Sequence, residues 1–79
     1  MKVLNMVVTG PSDPTRASIP LHIAANGSLE VGDEPMILFG GDAAEFLLGD
    51  AIEETAGVGV PPMRDLVAKL RAGGVPFYI

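Results

Sequence analysis

The chain predicts a small α/β domain built on a short parallel sheet. Three short apolar runs carry this reading, at Lys2–Thr9, Pro35–Phe39 and Val75–Ile79. The segments between them are long enough to hold helices, and none carries a hairpin turn. Right-handed crossovers then lay the three runs side by side, pointing one way.

Each element has its own local reason. In Lys2–Thr9 the apolar residues Val3, Leu4, Met6, Val7 and Val8 run almost without interruption. Such a run predicts a strand covered on both faces, and Gly10-Pro11-Ser12 ends it sharply. Asp13 is placed to cap a helix whose first residue is Pro14, with Ala17, Leu21, Ala24 and Ala25 on one face. Pro20 conflicts with that helix. It removes the bond to the Arg16 carbonyl, so a kink is expected, or a later start capped by Ser18. Asn26-Gly27 is the expected left-handed stop. After the acidic connection Glu30–Glu34, the second strand Pro35–Phe39 closes on Gly40-Gly41-Asp42. Asp42 is the expected cap of a short helix over Ala43–Leu48. Asp50–Thr55 extends the helical stretch or forms a loop, and Gly57–Val60 reads as a flexible or short extended link. The clearest element follows Pro61-Pro62. Met63, Leu66, Val67 and Leu70 fall at i, i+3, i+4 and i+7, with Asp65 and Lys69 expected to pair on the exposed side. Arg71 suits the negative end of that helix, and Gly73-Gly74 stops it before the strand Phe77–Ile79.

Size and composition bound the function. The chain has 79 residues, enough for one domain, and 48% of them are hydrophobic. A domain this small buries a modest share of its surface, so partner subunits, further sequence or both are expected to cover the rest. Val75–Ile79 reads as an interior strand, and the expectation is a single domain, 1–79, incomplete at its C-terminus. Without cysteine there is no disulfide scaffold, thiolate metal site or thiol nucleophile in these residues. Ten acids against five scattered bases argue against nucleic acid and anionic membranes as partners. No run is long enough to span a bilayer as a helix and no signal-peptide layout precedes the first strand, so a cytoplasmic location is expected.

Strand MKVLNMVVTG, the loop and helix carrying Arg16-Ala17, strand EPMILFGGDAAEFL turning through Gly40 and Gly41, helix MRDLVAKLRAGGV and strand PFYI together resemble the DsrE/DsrF/TusD-like family of sulfur-relay proteins. The resemblance spans essentially the whole chain, by pattern rather than by a diagnostic motif. It implies a flavodoxin-like three-layer sandwich that assembles into trimers or hexamers, as a homo-oligomer or with paralogous subunits. It also implies a sulfur-relay protein partner. Active members carry a persulfide-forming cysteine in the loop after the strand matching PFYI. This chain has no residue at that position and no substitute for it, so no catalytic role transfers to any residue present.

Candidate site residues lie where strands end, since ligands in open α/β sheets gather at the carboxyl rim. Gly10 and Ser12 after the first strand, and Gly40, Gly41 and Asp42 after the second, form a candidate ligand-binding rim. Amides at the helix start suit a small anion. An ordinary strand-to-helix turn with an Asp cap is the preferred reading of each segment. The GxGxxG and P-loop patterns are absent, and Asp13 would repel a phosphate. That absence also weighs against a nucleotide-binding fragment. His22, the one histidine, has no ligand-like partners in sequence and reads as a structural or interface residue. Asp50, Glu53 and Glu54 read as a solvated acidic face or a docking surface for a basic partner. Met36, Phe39, Phe46, Met63, Phe77 and Tyr78 read as core or subunit contacts. No cofactor and no metal site is expected. The readings left open are a subunit linked to persulfide transfer, and a non-catalytic oligomeric module that binds a protein partner or small anion at the rim.

Overall fold

The structure, a computed structural model, describes residues 1–79. The apolar runs form strands β1 (Lys2–Val7), β2 (Glu34–Phe39) and β3 (Phe77–Tyr78). They make one parallel sheet in the order β1-β2-β3. Lys2 stands opposite Glu34 and Val7 opposite Phe39, while Ile37 and Leu38 face Phe77 and Tyr78 across the other edge of β2. The consecutive order differs from the interleaved 2-1-3 order of flavodoxin itself. What is shared is the parallel sheet with crossover helices.

Helix α1 (Pro14–Ile23) crosses from β1 toward β2, as expected, with the Asp13 carboxylate accepting from the Arg16 amide at 3.2 Å. Pro20 neither breaks this helix nor delays its start. Ser18 is not a cap. It lies buried within the helix, and its hydroxyl donates to the Pro14 carbonyl at 2.8 Å. Beyond Ile23 the coil widens into a π-helical turn over Ala24–Ser28, where Leu29 N–H reaches back five residues to the Ala24 carbonyl. Asn26-Gly27 therefore lies inside helical structure and is not the left-handed stop. The residue that reverses the chain is Gly32, at φ 82°, a conformation that costs glycine little.

After β2 a 3-10 helix covers Gly41–Leu47, preceded by Gly40 in extended conformation with no side-chain cap. Asp42 thus stands in its first turn rather than capping it. Helix α2 is one turn, Ala51–Glu54, and α3 spans Met63–Ala72. The four residues placed on the buried face of α3, Met63, Leu66, Val67 and Leu70, are all buried. Gly73 ends this helix and Gly74 turns at φ 75° into β3.

The core lies on one side of the sheet. Val7, Ile37 and Phe39 point into it from the strands, and meet Ala17 and Leu21 of α1, Phe46 of the 3-10 helix, and the apolar face of α3. Phe39 packs edge-on against Phe46, ring centroids 6.4 Å apart, and against Phe77 at 5.6 Å. Alanines 17, 24 and 25 are fully buried, and their small side chains let the helical layer approach the sheet closely. Successive crossovers of one hand along β1-β2-β3 put the helices on the same face. The opposite face has no helix on it, and Leu4, Met6, Val8 and Tyr78 stand exposed there. The uninterrupted apolar run of β1 therefore does not lie between two helical layers within these residues. The sequence pattern misleads because Leu4 and Met6, which point outward, are as apolar as their inward neighbours. No helix is long and apolar enough to cross a membrane.

Candidate functional site

Because the strands are parallel, the ends of β1 and β2 and the end of β3 come to one rim. The structure joins the first two predicted segments directly. Gly10 sits against Asp42 so closely that a Cβ there would lie 2.7 Å from the Asp42 carbonyl oxygen. Gly41, at φ 55°, lies alongside the Val8 carbonyl. Gly40 N–H donates to the Val7 carbonyl at 2.9 Å, extending the β1–β2 ladder into the turn. Ser12 lies in the turn between Gly10 and Asp13, where Asp13 N–H closes on the Gly10 carbonyl at 3.2 Å. Gly10 and Asp42 are thus brought into contact, Gly40 and Gly41 line the same edge, and Ser12 stands on the turn beside them. At the Gly10–Asp42 contact the rim is filled by its own backbone.

A loop that the sequence reading treats as a link also belongs to this end of the molecule. Val58 N–H donates to the Thr15 hydroxyl at 2.8 Å, and a Cβ at Gly57 would lie 2.8 Å from the Thr15 Cα. Gly57–Val60 is therefore fastened to the start of α1 rather than free. The contact joins residues 43 positions apart, a separation at which local pattern carries no signal.

Two clefts of about 340 Å³ each lie elsewhere. One is at the amino ends of the strands, among Lys2, Asp33, Glu34 and Gly73–Pro76, opposite the predicted rim. The other runs between α3 and the Phe46–Glu53 segment, and mixes Arg64 and Arg71 with Asp50 and Glu53. Asp50 and Glu53 of the predicted acidic cluster therefore face this cleft alongside two arginines. Arg71 also lies over the Phe77 ring, 5.7 Å from its centroid, a contact of the cation–π kind.

His22 is part of a surface clasp. The Asn26 side-chain amide bonds to His22 Nδ1 at 2.9 Å, and the Asn26 carbonyl oxygen accepts from Lys69 Nζ at 2.7 Å. Lys69 also pairs with Glu30. This bond, and after it the positive charge of Lys69, hold the Glu30 carboxyl below its ordinary value. Lys69 therefore does not pair with Asp65, whose carboxylate instead lies 3.7 Å from Arg64. The clasp ties the π-helical turn to α3, and His22 joins it through Asn26. No group of three His, Cys, Asp or Glu side chains is placed to hold a metal ion.

One feature of β1 escaped sequence reasoning. Asn5 shares the inward face with Val7, and its side-chain nitrogen is buried without a hydrogen-bond partner. A lone asparagine in an apolar strand was the available signal.

No family model, no curated protein and no solved structure matches this chain.

Proposed function

We propose that this chain is a subunit linked to intracellular persulfide transfer, lending binding surface to the relay rather than a nucleophile. The observation that carries the proposal is the rim itself. Parallel strands deliver three chain segments to one edge, and the loops there are packed backbone against backbone, with Gly10 on Asp42. A rigid edge of this kind suits presentation of a group held by a partner. The chain contains no cysteine to hold sulfur itself. The resemblance to DsrE-like proteins supplies the chemistry, and the two-layer α/β sheet agrees with one side of the three-layer, flavodoxin-like sandwich it implies. On this reading the domain works in an oligomer of its own copies or of paralogous subunits.

The test is native mass spectrometry of the chain mixed with a small carrier protein bearing a cysteine persulfide. The expected result is a complex in which the sulfur stays on the carrier and survives longer than on the carrier alone. Absence of a complex, with an unchanged persulfide lifetime, refutes the proposal.

A further inference from the structure

The uncovered face of the sheet has a defined make-up. Side chains alternate along a strand, so Lys2, Leu4, Met6 and Val8 of the first segment share one face. Register adds Glu34, Met36 and Leu38 of β2 and Tyr78 of β3 to it. Leu4 is 54% exposed, Met6 52%, Val8 60% and Tyr78 51%. Together the apolar side chains present on the order of 400 Å², a patch that in monomers commonly marks an interaction site. The face has one charge of each sign, Lys2 and Glu34. They stand in register with each other, yet neither forms an ion pair within the chain.

We infer that this face packs on the same face of a second copy, about a twofold axis running along the strands between β1 and β2. That operation lays β1 of one copy over β2 of the other and keeps the position along the strand. Lys2 then meets Glu34 of the second copy at one end, and the reverse pair forms beside it. Leu4 lies over Met36, and Met6 over Leu38, as an interdigitated apolar layer between two sheets about 10 Å apart. The helices of both copies remain outside, giving a four-layer α/β/β/α arrangement. Among the occupants such a face can take, a second copy is the one its charges favour. The pattern is self-complementary, and a chain of net charge −5 approaches itself here through a face with no excess of either sign. The apolar area is about half of the ~800 Å² that each partner gives to a standard interface, which places the contact among weak, reversible interfaces. The inference rests on the proposed function only in treating the chain as an assembling subunit.

Sedimentation equilibrium of the full chain, from about 1 to 200 µM in salt that reduces the Debye length to ~8 Å, tests it. The expected result is a monomer–dimer equilibrium. Met6→Asp places a carboxylate in the apolar layer, and is expected to give a monomer with an unchanged circular dichroism spectrum, since Met6 is half exposed in the single chain. Lys2→Glu sets two carboxylates against each other in both of these pairs and is expected to weaken the dimer at least ~10-fold. Adding Glu34→Lys is expected to bring it back to within ~3-fold of the starting value. A chain that stays monomeric throughout the range refutes the inference, and shows that whatever covers this face is not a second copy. A dimer indifferent to Lys2→Glu refutes it equally, and that variant decides the matter should Met6→Asp not fold. Carrier binding by a strictly monomeric chain would overturn this inference while leaving the proposed function in place.

Discussion

Gly10 and Gly40 end neighbouring strands, and similar turns follow them in the sequence, but the structure assigns them opposite tolerance to a methyl group. A Cβ at Gly10 would stand 2.7 Å from the Asp42 carbonyl oxygen and 3.1 Å from the Asp42 Cβ. The closest of these atoms is backbone, so relief requires the turn after β1 to separate from the turn after β2. Overpacking of this kind costs typically ~1–3 kcal/mol, and the backbone nature of the contact places Gly10→Ala near ~2–3 kcal/mol. At Gly40 nothing lies within 4 Å of an added Cβ. Its φ of −115° and ψ of 160° suit any residue. Gly40→Ala keeps the amide bond to Val7 and restricts the unfolded chain, a gain of ~0.4–1 kcal/mol. Urea unfolding followed by far-ultraviolet circular dichroism separates the two. With a denaturant slope near ~1 kcal/mol/M for so small a domain, Gly10→Ala lowers the midpoint by about 2–3 M and Gly40→Ala raises it by about 0.4–1 M. Equal midpoints for the two variants would refute the closed rim, and with it the observation on which the functional proposal stands.

Leu66→Asp and Leu70→Asp each put an unpaired carboxylate where the native side chain is fully buried. Lost packing of ~2–5 kcal/mol and the cost of burying the charge together exceed the lower part of the stability expected for a chain of this length. Both variants are expected to lose their cooperative thermal transition, and a native-like melt in either would contradict the assigned face of α3. Asn5→Val removes a buried donor that has no partner and puts a β-branched side chain in a strand, so it is expected to raise stability by about 1 kcal/mol. A lower melting temperature would show that the amide is satisfied in solution. Glu30 is held below its ordinary carboxyl value by the hydrogen bond from Lys69 and then by its charge. A depressed folded value means that the pair stabilises above the ordinary value of 4.5 and that this contribution is lost as pH falls through the lower, folded one. Glu30→Gln is expected to shrink the drop in melting temperature between about pH 6 and pH 3; an identical drop would show that the pair does not form in solution.

What could be read from the sequence was what local spacing determines. The face of α3 follows from four apolar residues at helical intervals, and the strands from short apolar runs bounded by Gly and Pro. The Asp13 cap was legible because capping acts over three residues. Errors arose where a distant partner or a subtle backbone choice decides. Asp65 and Lys69 have good helical spacing, but Glu30, 39 residues away, takes the lysine. Asn26-Gly27 has the composition of a helix stop, yet a π-helical turn carries the chain through it and leaves the reversal to Gly32. The candidate rim was legible as a location, since any parallel sheet gathers its strand ends. Its closure was not, because the fit of Gly10 against Asp42 depends on how two loops 32 positions apart meet.

The two faces of β1 have an inverted composition. Its inward face is Val3, Asn5 and Val7, and its outward face continues from Lys2 through Leu4 and Met6 to Val8. The single polar residue of the strand interior thus points toward the helices, while the side open to solvent is wholly apolar beyond Lys2. An isolated two-layer domain has no physical need for that arrangement. Polar residues on the outer positions would leave the core intact and reduce self-association. Contact with another apolar surface, as proposed above, would explain the preference, and the two charges in register on that face, Lys2 and Glu34, are a matched pair. Folding within the 79 residues accounts for the helical side of the sheet. The other side is a surface whose chemistry makes sense when something is packed against it.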